Sequence, residues 1–473
     1  MAIPAQVREA VTPVARGTAG RIAELRLLLL VGDVATAAAA AWIAPVAWAL
    51  FDQAFVATAS LPIWQLSFAG LWAGLMRIFG GGRVAVPALG RRSIQAISQS
   101  LIASIGIVLV TFYLAPFFAP RGSTLLTLPL AAGLTLLWRY GFLRIHERAS
   151  VARVVAVLGL DEAATRAARA MAENEGSIFR VRAFLADATE SSNRPPVGPP
   201  ILSIAGDFWD TVQRLGVDVL VVGHSRGIPQ HVLADLARCY EHGIEALPAT
   251  TVYEQLEGRV LVSALEADWY AELPTGARGL YMIAKRAFDL VFAVAVGAIA
   301  VPLMAVIAIA ISIESRGPVL LRQVRVGLRG RPFVIHKFRS MRVDAEAEGQ
   351  PRWASENDDR VTPVGRFLRR SRLDELPQLW DVLRGKMSIV GPRPERPEFV
   401  EQLARELPLY RARALVPPGI TGWAQIQFPY AGSLEENLAK LEYDLYYIRH
   451  LGPLLDLRIL LRTALTPFSG AGR

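Results

Sequence analysis

Four long apolar stretches fill the first third of the chain, at roughly 27–51, 61–79, 98–119 and 123–143, and no other feature constrains its folding as strongly. Each approaches or exceeds the ~20 residues that a helix needs to cross a bilayer. The charges between them follow the positive-inside rule. Arg8, Arg16, Arg21 and Arg26 precede the first stretch, and Arg77, Arg83, Arg91 and Arg92 separate the second from the third. Arg139, Arg144 and Arg148 follow the fourth, whereas the other two loops share only Arg121. The expectation is a four-helix transmembrane bundle over 1–148 with both ends in the cytoplasm. Asp33 lies inside the first stretch, where a carboxylate needs a partner. It sits near the cytoplasmic end, which favours a structural bond to a neighbouring helix.

Composition supports that reading. The chain has 473 residues, of which 52% are hydrophobic, and a mean hydropathy of +0.33. That is too apolar for an ordinary soluble protein and too long for one domain. The net charge of +9 fits cytoplasmic faces near anionic lipid, with a phosphate ligand as second explanation. The basic residues are dispersed and accompany no nucleic-acid motif, so a nucleic-acid partner is not expected. Cys239 is the only cysteine, which excludes a disulfide framework and suits a reducing compartment. The N-terminus lacks the short apolar core and cleavage site of a secretory signal, so the apolar segments are expected to persist.

Over 149–270 the pattern changes to short β-branched runs, Arg153–Leu158 and 217–222, alternating with helical stretches. This predicts a small Rossmann-like parallel α/β domain. Its first turn reads Gly159-Leu160-Asp161-Glu162, with a carboxylate where a dinucleotide fingerprint needs glycine, so the nucleotide site is degenerate. Gly223-His224-Ser225-Arg226-Gly227 matches the hydrolase nucleophile elbow. Ile228-Pro229 stands where the helix should begin, so the better reading is a glycine-rich turn. The segment 187–200 reads as a surface loop.

A fifth apolar segment spans 290–313. Lys285 and Arg286 precede it, and Arg316, Arg322, Arg325, Arg329 and Arg331 follow it, so both ends belong on the cytoplasmic side. Pro302 near its middle removes a backbone hydrogen bond. These facts predict a re-entrant helix, 286–314, that breaks at Pro302 and returns to the same face. A kinked straight span is the alternative.

The remaining residues, within a C-terminal domain 278–473, carry the densest motifs. Lysine occurs only four times in the chain, and Lys337 stands in His336-Lys337-Phe338-Arg339-Ser340-Met341. Asp374-Glu375 follow Arg369, Arg370 and Arg372. A carboxylate can attack phosphorus to give an acyl phosphate, a neighbouring acid can hold Mg²⁺, and arginines can clamp phosphoryl oxygens. By spacing alone a solvated helix carries the same pattern, and both readings stay open. Pro377 suggests that the pair sits at a helix start, where the helix dipole favours negative charge. Ser388–Pro394 (SIVGPRP) is a rigid turn that would fix Arg393. Pro417–Gln425 (PPGITGWAQ) and Leu441–Tyr447 (LEYDLYY) complete the set, and 451–465 suits a helix in the membrane interface.

In this order the five motifs, above all LDELPQLWDVLRGKMSIVGPRP, resemble the monotopic phosphoglycosyl transferases, or polyprenyl-phosphate hexose-1-phosphate transferases. The likeness covers 280–468. The preceding bundle and α/β domain look like the N-terminal half of the large, exopolysaccharide-initiating members. The resemblance implies an α-rich catalytic domain at the bacterial inner membrane, facing the cytoplasm. It implies Asp374 as nucleophile and Glu375 as the Mg²⁺ ligand. It implies Lys337, Arg339, Arg369 and Arg393 as binders of substrate phosphate, Asp444 as a further active-site acid, and Pro302 as the helix break. A UDP-sugar donor, a polyprenyl phosphate acceptor and membrane lipid would be the partners, and the bundle with its degenerate α/β domain suggests a homodimer. A non-catalytic membrane scaffold is the rival. Two positions depart from the family: Pro417 replaces its usual arginine, and Val301 replaces a serine that often precedes the helix-breaking proline.

Overall fold

The computed structural model describes residues 18–50, 62–80, 91–114, 121–146, 153–173, 179–186, 199–204, 207–223, 229–265, 278–342, 360–407, 409–428 and 433–465. They form two compact units, Met1–Gly258 and Arg259–Arg473.

The first unit opens with helices α1 (Thr18–Ala49), α2 (Pro62–Gly80), α3 (Arg91–Leu114) and α4 (Arg121–His146). An alanine face of α1 (Ala37, Ala40, Ala41) packs against Phe68, Trp72 and Met76 of α2, and Leu128 and Ala131 of α4 join it. Small residues let helix backbones approach closely where lipid offers no hydrophobic contrast. Polar bonds tie the same helices together. Arg139 of α4 donates from Nη2 to Asp33 Oδ2 at 2.6 Å and from Nε to Oδ1 at 3.2 Å, so Asp33 has the neighbouring-helix partner expected of it. Trp72 Nε1 donates to Thr135 Oγ1 at 3.1 Å. Among the described residues four helices are long and apolar enough to cross a membrane: Leu27–Ala49, Ile94–Phe112, Gly122–Phe142 and Gly279–Glu314. The second predicted span, 61–79, is helix α2 but is not among these four. The third begins seven residues earlier than its predicted start, at Arg91.

The same unit contains a five-stranded parallel sheet in the order β3-β2-β1-β4-β5. Its strands are β1 (Arg153–Leu158), β2 (Phe179–Ala186), β3 (Ile201–Ser203), β4 (Val219–Val222) and β5 (Glu245–Pro248). Helices α5 (Glu162–Glu173), α6 (Phe208–Leu215), α7 (Gln230–Glu241) and α8 (Ala249–Glu257) connect and cover it. Nearly every residue of β1 is buried, as expected of a central parallel strand. At the β1–α5 turn Gly159 has φ +97°, and Asp161 Oδ1 accepts from the Ala164 backbone N–H at 2.8 Å. The carboxylate thus caps α5 where a nucleotide phosphate would need the helix N-terminus. Ser225 and most of the 187–200 loop lie outside the described residues.

The second unit begins earlier than the sequence pattern suggests. The Val260 backbone N–H donates to Glu442 O at 3.1 Å, and Val260 is buried in this unit's core, so residues 259–265 belong here rather than with the α/β sheet. The apolar segment is one α-helix, α9 (Arg278–Glu314), with Pro302 inside it. The helix continues through Pro302, instead of two helices meeting at an open break. Downstream come the hairpin β6 (Leu320–Val326) and β7 (Pro332–Phe338), then α10 (Pro363–Ser371) and α11 (Gln378–Leu383). The short parallel pair β8 (Ser388–Val390) and β9 (Gly419–Thr421) encloses α12 (Pro397–Glu406) in sequence. Helices α13 (Trp423–Gln427), α14 (Leu434–Arg449) and α15 (Pro453–Leu465) complete it. A Ser433–Glu436 capping box starts α14, satisfying two of the orphan donors at its N-terminus.

Candidate active site

Three chain segments build the site. The first is β7, whose pairing with β6 (Leu321 opposite Lys337) sets which way Lys337 faces. Its register is fixed from behind. Asp381 of α11 accepts the His336 backbone N–H at 2.9 Å through Oδ2 and contacts His336 Nδ1 at 2.7 Å through Oδ1. Successive strand residues point to opposite faces, so anchoring His336 on one side directs Lys337 to the other.

The second segment is the turn carrying the acids. Helix α10 starts with Thr362 capping Gly365 and Pro363 in its first turn, both favoured there. It stops at Arg372, whose φ of +57° is unusual for a residue with a Cβ. A 3-10 turn, Leu373–Glu375, follows directly, and α11 begins after Pro377. Asp374 and Glu375 therefore occupy a tight turn between two helices, one step before the helix start expected of them.

The third segment is the loop after β8. A Cβ on Gly391 would lie 2.9 Å from Gly419 N and 3.2 Å from Pro418 C, and Gly422 packs on Gly391 from the other side. Glycines are needed because two backbones cross here, which accounts for GPRP and PGITG occurring together. The crossing fixes where the loop leaves β8 and so where Arg393 starts.

These segments bring together four of the expected residues. Glu375 is buried, and its Oε1 accepts from Arg393 Nη2 at 2.7 Å and Lys337 Nζ at 3.1 Å. Asp374 is half-buried beside it. Burial pushes the Glu375 carboxyl upward, but Arg393 and Lys337 outweigh that and hold it well below the usual carboxylate range. Burial, reinforced by the Glu375 charge, raises Asp374 above its ordinary value against the pull of Lys337, Arg393 and Arg369. The Lys337 ammonium is pushed down by burial despite Glu375. Two adjacent carboxylates therefore have divergent environments, the arrangement that separates chemical roles in many active sites.

Arg369 lies at the edge of this group, with Nε donating to Ser340 Oγ at 2.9 Å. Arg339 does not join it. It is buried and donates from Nη2 to Ser315 O at 2.7 Å and Ser315 Oγ at 2.8 Å, tying down the end of α9. Arg339 follows the last strand residue, Phe338, so the alternation that aims Lys337 at Glu375 no longer governs it. Asp444 is buried against Arg413, with Oδ2 accepting from Nε at 2.7 Å, and is held there rather than at the acid pair. Pro302 lies on an exposed stretch of α9. Asp381, His336, Ser340 and Arg413 were not among the expected site residues. The first three sit inside the quoted motifs, but nothing in the sequence marks Arg413, rather than Arg411, as the buried one.

Mg²⁺ commonly uses one or two carboxylates and takes its other ligands from water and substrate phosphates. The donor set fits that pattern. Among the described residues no group of three or more His, Cys, Asp or Glu could hold a metal alone, while Lys337 and Arg393 both bond Glu375 at Oε1 and the Asp374 carboxylate is adjacent.

The sequence profile described as Bacterial sugar transferase matches residues 280–470. The chain is similar to the UDP-N-acetylgalactosamine-undecaprenyl-phosphate N-acetylgalactosaminephosphotransferase of Aeromonas hydrophila, 41% identical over 237 residues, or 50% of this chain and 55% of that protein. It is 43% identical over 197 residues to the UDP-glucose:undecaprenyl-phosphate glucose-1-phosphate transferase of Escherichia coli strain K12, 41% of this chain and 42% of that one. A protein of the same name from Caulobacter vibrioides is 44% identical over 183 residues, 38% of this chain and 67% of its own length. The match thus spans about half the length of the first two relatives.

Proposed function

The chain belongs to the bacterial sugar transferases, and from that premise we propose that it transfers a hexose-1-phosphate from a UDP-sugar to polyprenyl phosphate, releasing UMP. This would be the first membrane step of exopolysaccharide synthesis, at the cytoplasmic face of the bacterial inner membrane. The observation that carries the reading is a buried carboxylate, Glu375, holding a lysine and an arginine beside a second carboxylate that burial makes more basic.

In the proposed first step an Asp374 carboxylate oxygen attacks the β-phosphorus of the donor. The bond from that phosphorus to the bridging oxygen breaks, and UMP departs with the electron pair. The enzyme retains the sugar phosphate as an acyl phosphate. A polyprenyl phosphate oxygen then attacks the same phosphorus, and Asp374 leaves as carboxylate. Lys337 and Arg393 neutralise charge on the phosphoryl oxygens, and Glu375 keeps both cations placed before substrate arrives, so little reorganisation is needed. Bound Mg²⁺, held by Glu375 with Asp374, would supply further charge neutralisation at the diphosphate. UMP release from a panel of UDP-sugars, in nanodiscs with polyprenyl phosphate, tests the proposal. No release from any donor by folded protein would overturn it.

Only ionised Asp374 can attack, so the rate falls as pH drops through its raised pKa. Glu375→Gln removes the neighbouring negative charge and frees Lys337 and Arg393 to act on Asp374. Both effects lower that pKa, and the acidic limb of the residual kcat/KM profile is expected to move to lower pH. A limb that stays in place would show that another group titrates.

The re-entrant reading of α9 belongs to the same proposal. Near its start Arg286 donates to Val382 O at 2.6 Å, and at its far end Glu314 accepts the Val364 backbone N–H at 2.8 Å. One polar unit thus holds both ends of the apolar helix, which favours return to one face. A cysteine placed at Ser315 is expected to react only with reagents reaching the cytoplasmic side. Labelling from the opposite side would establish a straight span. The strand order of the α/β sheet supports a Rossmann-like unit, and Asp161 in its turn argues for a structural rather than nucleotide-binding role. A homodimer is part of the proposal.

A further inference from the structure

We infer that Arg413 is a positioning residue for the reaction proposed above, and that Asp444 acts through it to hold the Arg393 loop at the acid pair. The inference rests on that reading of the site.

Arg413 lies in the 3-10 segment Tyr410–Leu415 and is 8% exposed. Its Nε donates to Asp444 Oδ2 at 2.7 Å, Nη1 to Tyr410 Oη at 2.8 Å, and Nη2 to Arg393 O at 3.1 Å. All three nitrogens are engaged inside the protein, so the guanidinium is poorly placed to clamp substrate. Asp444 is 1% exposed on α14, and its Oδ2 accepts from Arg413. An acid so placed orients a base rather than meeting reacting atoms.

The third bond gives the pair its purpose. Arg413 grips the backbone carbonyl of the residue whose own guanidinium reaches Glu375 at 2.7 Å. A second arginine grips the next carbonyl, with Arg325 Nη1 donating to Pro394 O at 3.0 Å. The Val326 backbone N–H holds the one after, Glu395 O, at 2.9 Å. Three consecutive carbonyls of the loop are thus pinned. Arg393 presents its guanidinium without having to order its own backbone on each turnover. Arginine suits the Arg413 position because its planar fork serves three acceptors in fixed directions, which an ammonium cannot do.

The test is a mutant cycle in the full-length protein held in nanodiscs, scored by kcat/KM for UMP release and by UDP affinity from calorimetry. Asp444→Asn and Arg413→Lys are each expected to cost roughly tenfold to a hundredfold, the range seen when an outer partner of a working group is removed. In an Arg393→Ala background the same changes are expected to cost less than about threefold, because no guanidinium remains to be placed. Equal losses in both backgrounds would overturn the inference, since a residue that meets substrate, or that only keeps the protein folded, loses as much without Arg393. Wild-type protein that binds UDP but turns over no donor would refute the proposed function while the affinity cycle still decides this inference. Protein that binds no UDP at all overturns both.

Discussion

Asp374→Asn is expected to lower UMP release by about four orders of magnitude or more, the loss seen when a covalent nucleophile is removed. Asparagine keeps the shape of the side chain, so the 3-10 turn over Leu373–Glu375 and the Glu375 contacts to Lys337 and Arg393 should survive. What disappears is the charged oxygen that would bond to phosphorus. The companion expectation concerns stability and has the opposite sign. Burial and Glu375 raise the pKa of Asp374, so its ionised form is disfavoured in the folded protein. Stability is therefore lost as pH rises through that raised value, and a neutral asparagine is spared the loss. At neutral pH the variant should melt no lower than the parent. A dead and equally stable variant is what a nucleophile maintained at the expense of stability predicts. A loss below tenfold would remove Asp374 from the chemistry. A large fall in melting temperature would show that the residue is structural instead.

Much of the fold was legible because the relevant forces are local. Long apolar runs separated by arginine clusters marked the bundle helices, and β-branched runs alternating with amphipathic ones marked the parallel sheet. The acid pair, Lys337 and Arg393 could be nominated from residue type and motif, and the structure gathers them. Three features were not legible, each for a physical reason. Arg339 lies two positions after Lys337 and one beyond the end of β7, and only its encounter with Ser315 decides that it serves helix α9. Asp444 could be recognised as an acid of interest, but its ion pair with Arg413 joins positions separated by 31 residues. The boundary of the second unit turns on the bond from Val260 to Glu442, a tertiary contact with no sequence periodicity behind it.

The glycines of the third segment carry the other large expected effect. Gly391→Val should abolish activity and destabilise the second unit by about 3 kcal/mol or more, the upper range for inserting atoms into a packed interior. The expected Cβ would stand 2.9 Å from Gly419 N and 3.2 Å from Pro418 C, and closer still to the Pro417 carbonyl oxygen. All of these are backbone atoms, which cannot swing aside as the end of a long side chain could. Relief would require β8 and β9 to separate. That movement would break the bonds from the Ser388 backbone N–H to Pro418 O and from Gly391 N–H to Thr421 O, both 2.8 Å. It would also carry Arg393 away from Glu375, since the arginine lies two residues beyond the crossing. Gly330→Val is the control. That glycine has φ +74°, so valine is strained there too, but its Cβ would meet no heavy atom within 4 Å. It is expected to cost about 1–2 kcal/mol of backbone strain without moving the site. Thermal melts and UMP release for the two variants separate the contributions. If Gly391→Val melts no lower than Gly330→Val, the close backbone crossing is not what sets the position of Arg393.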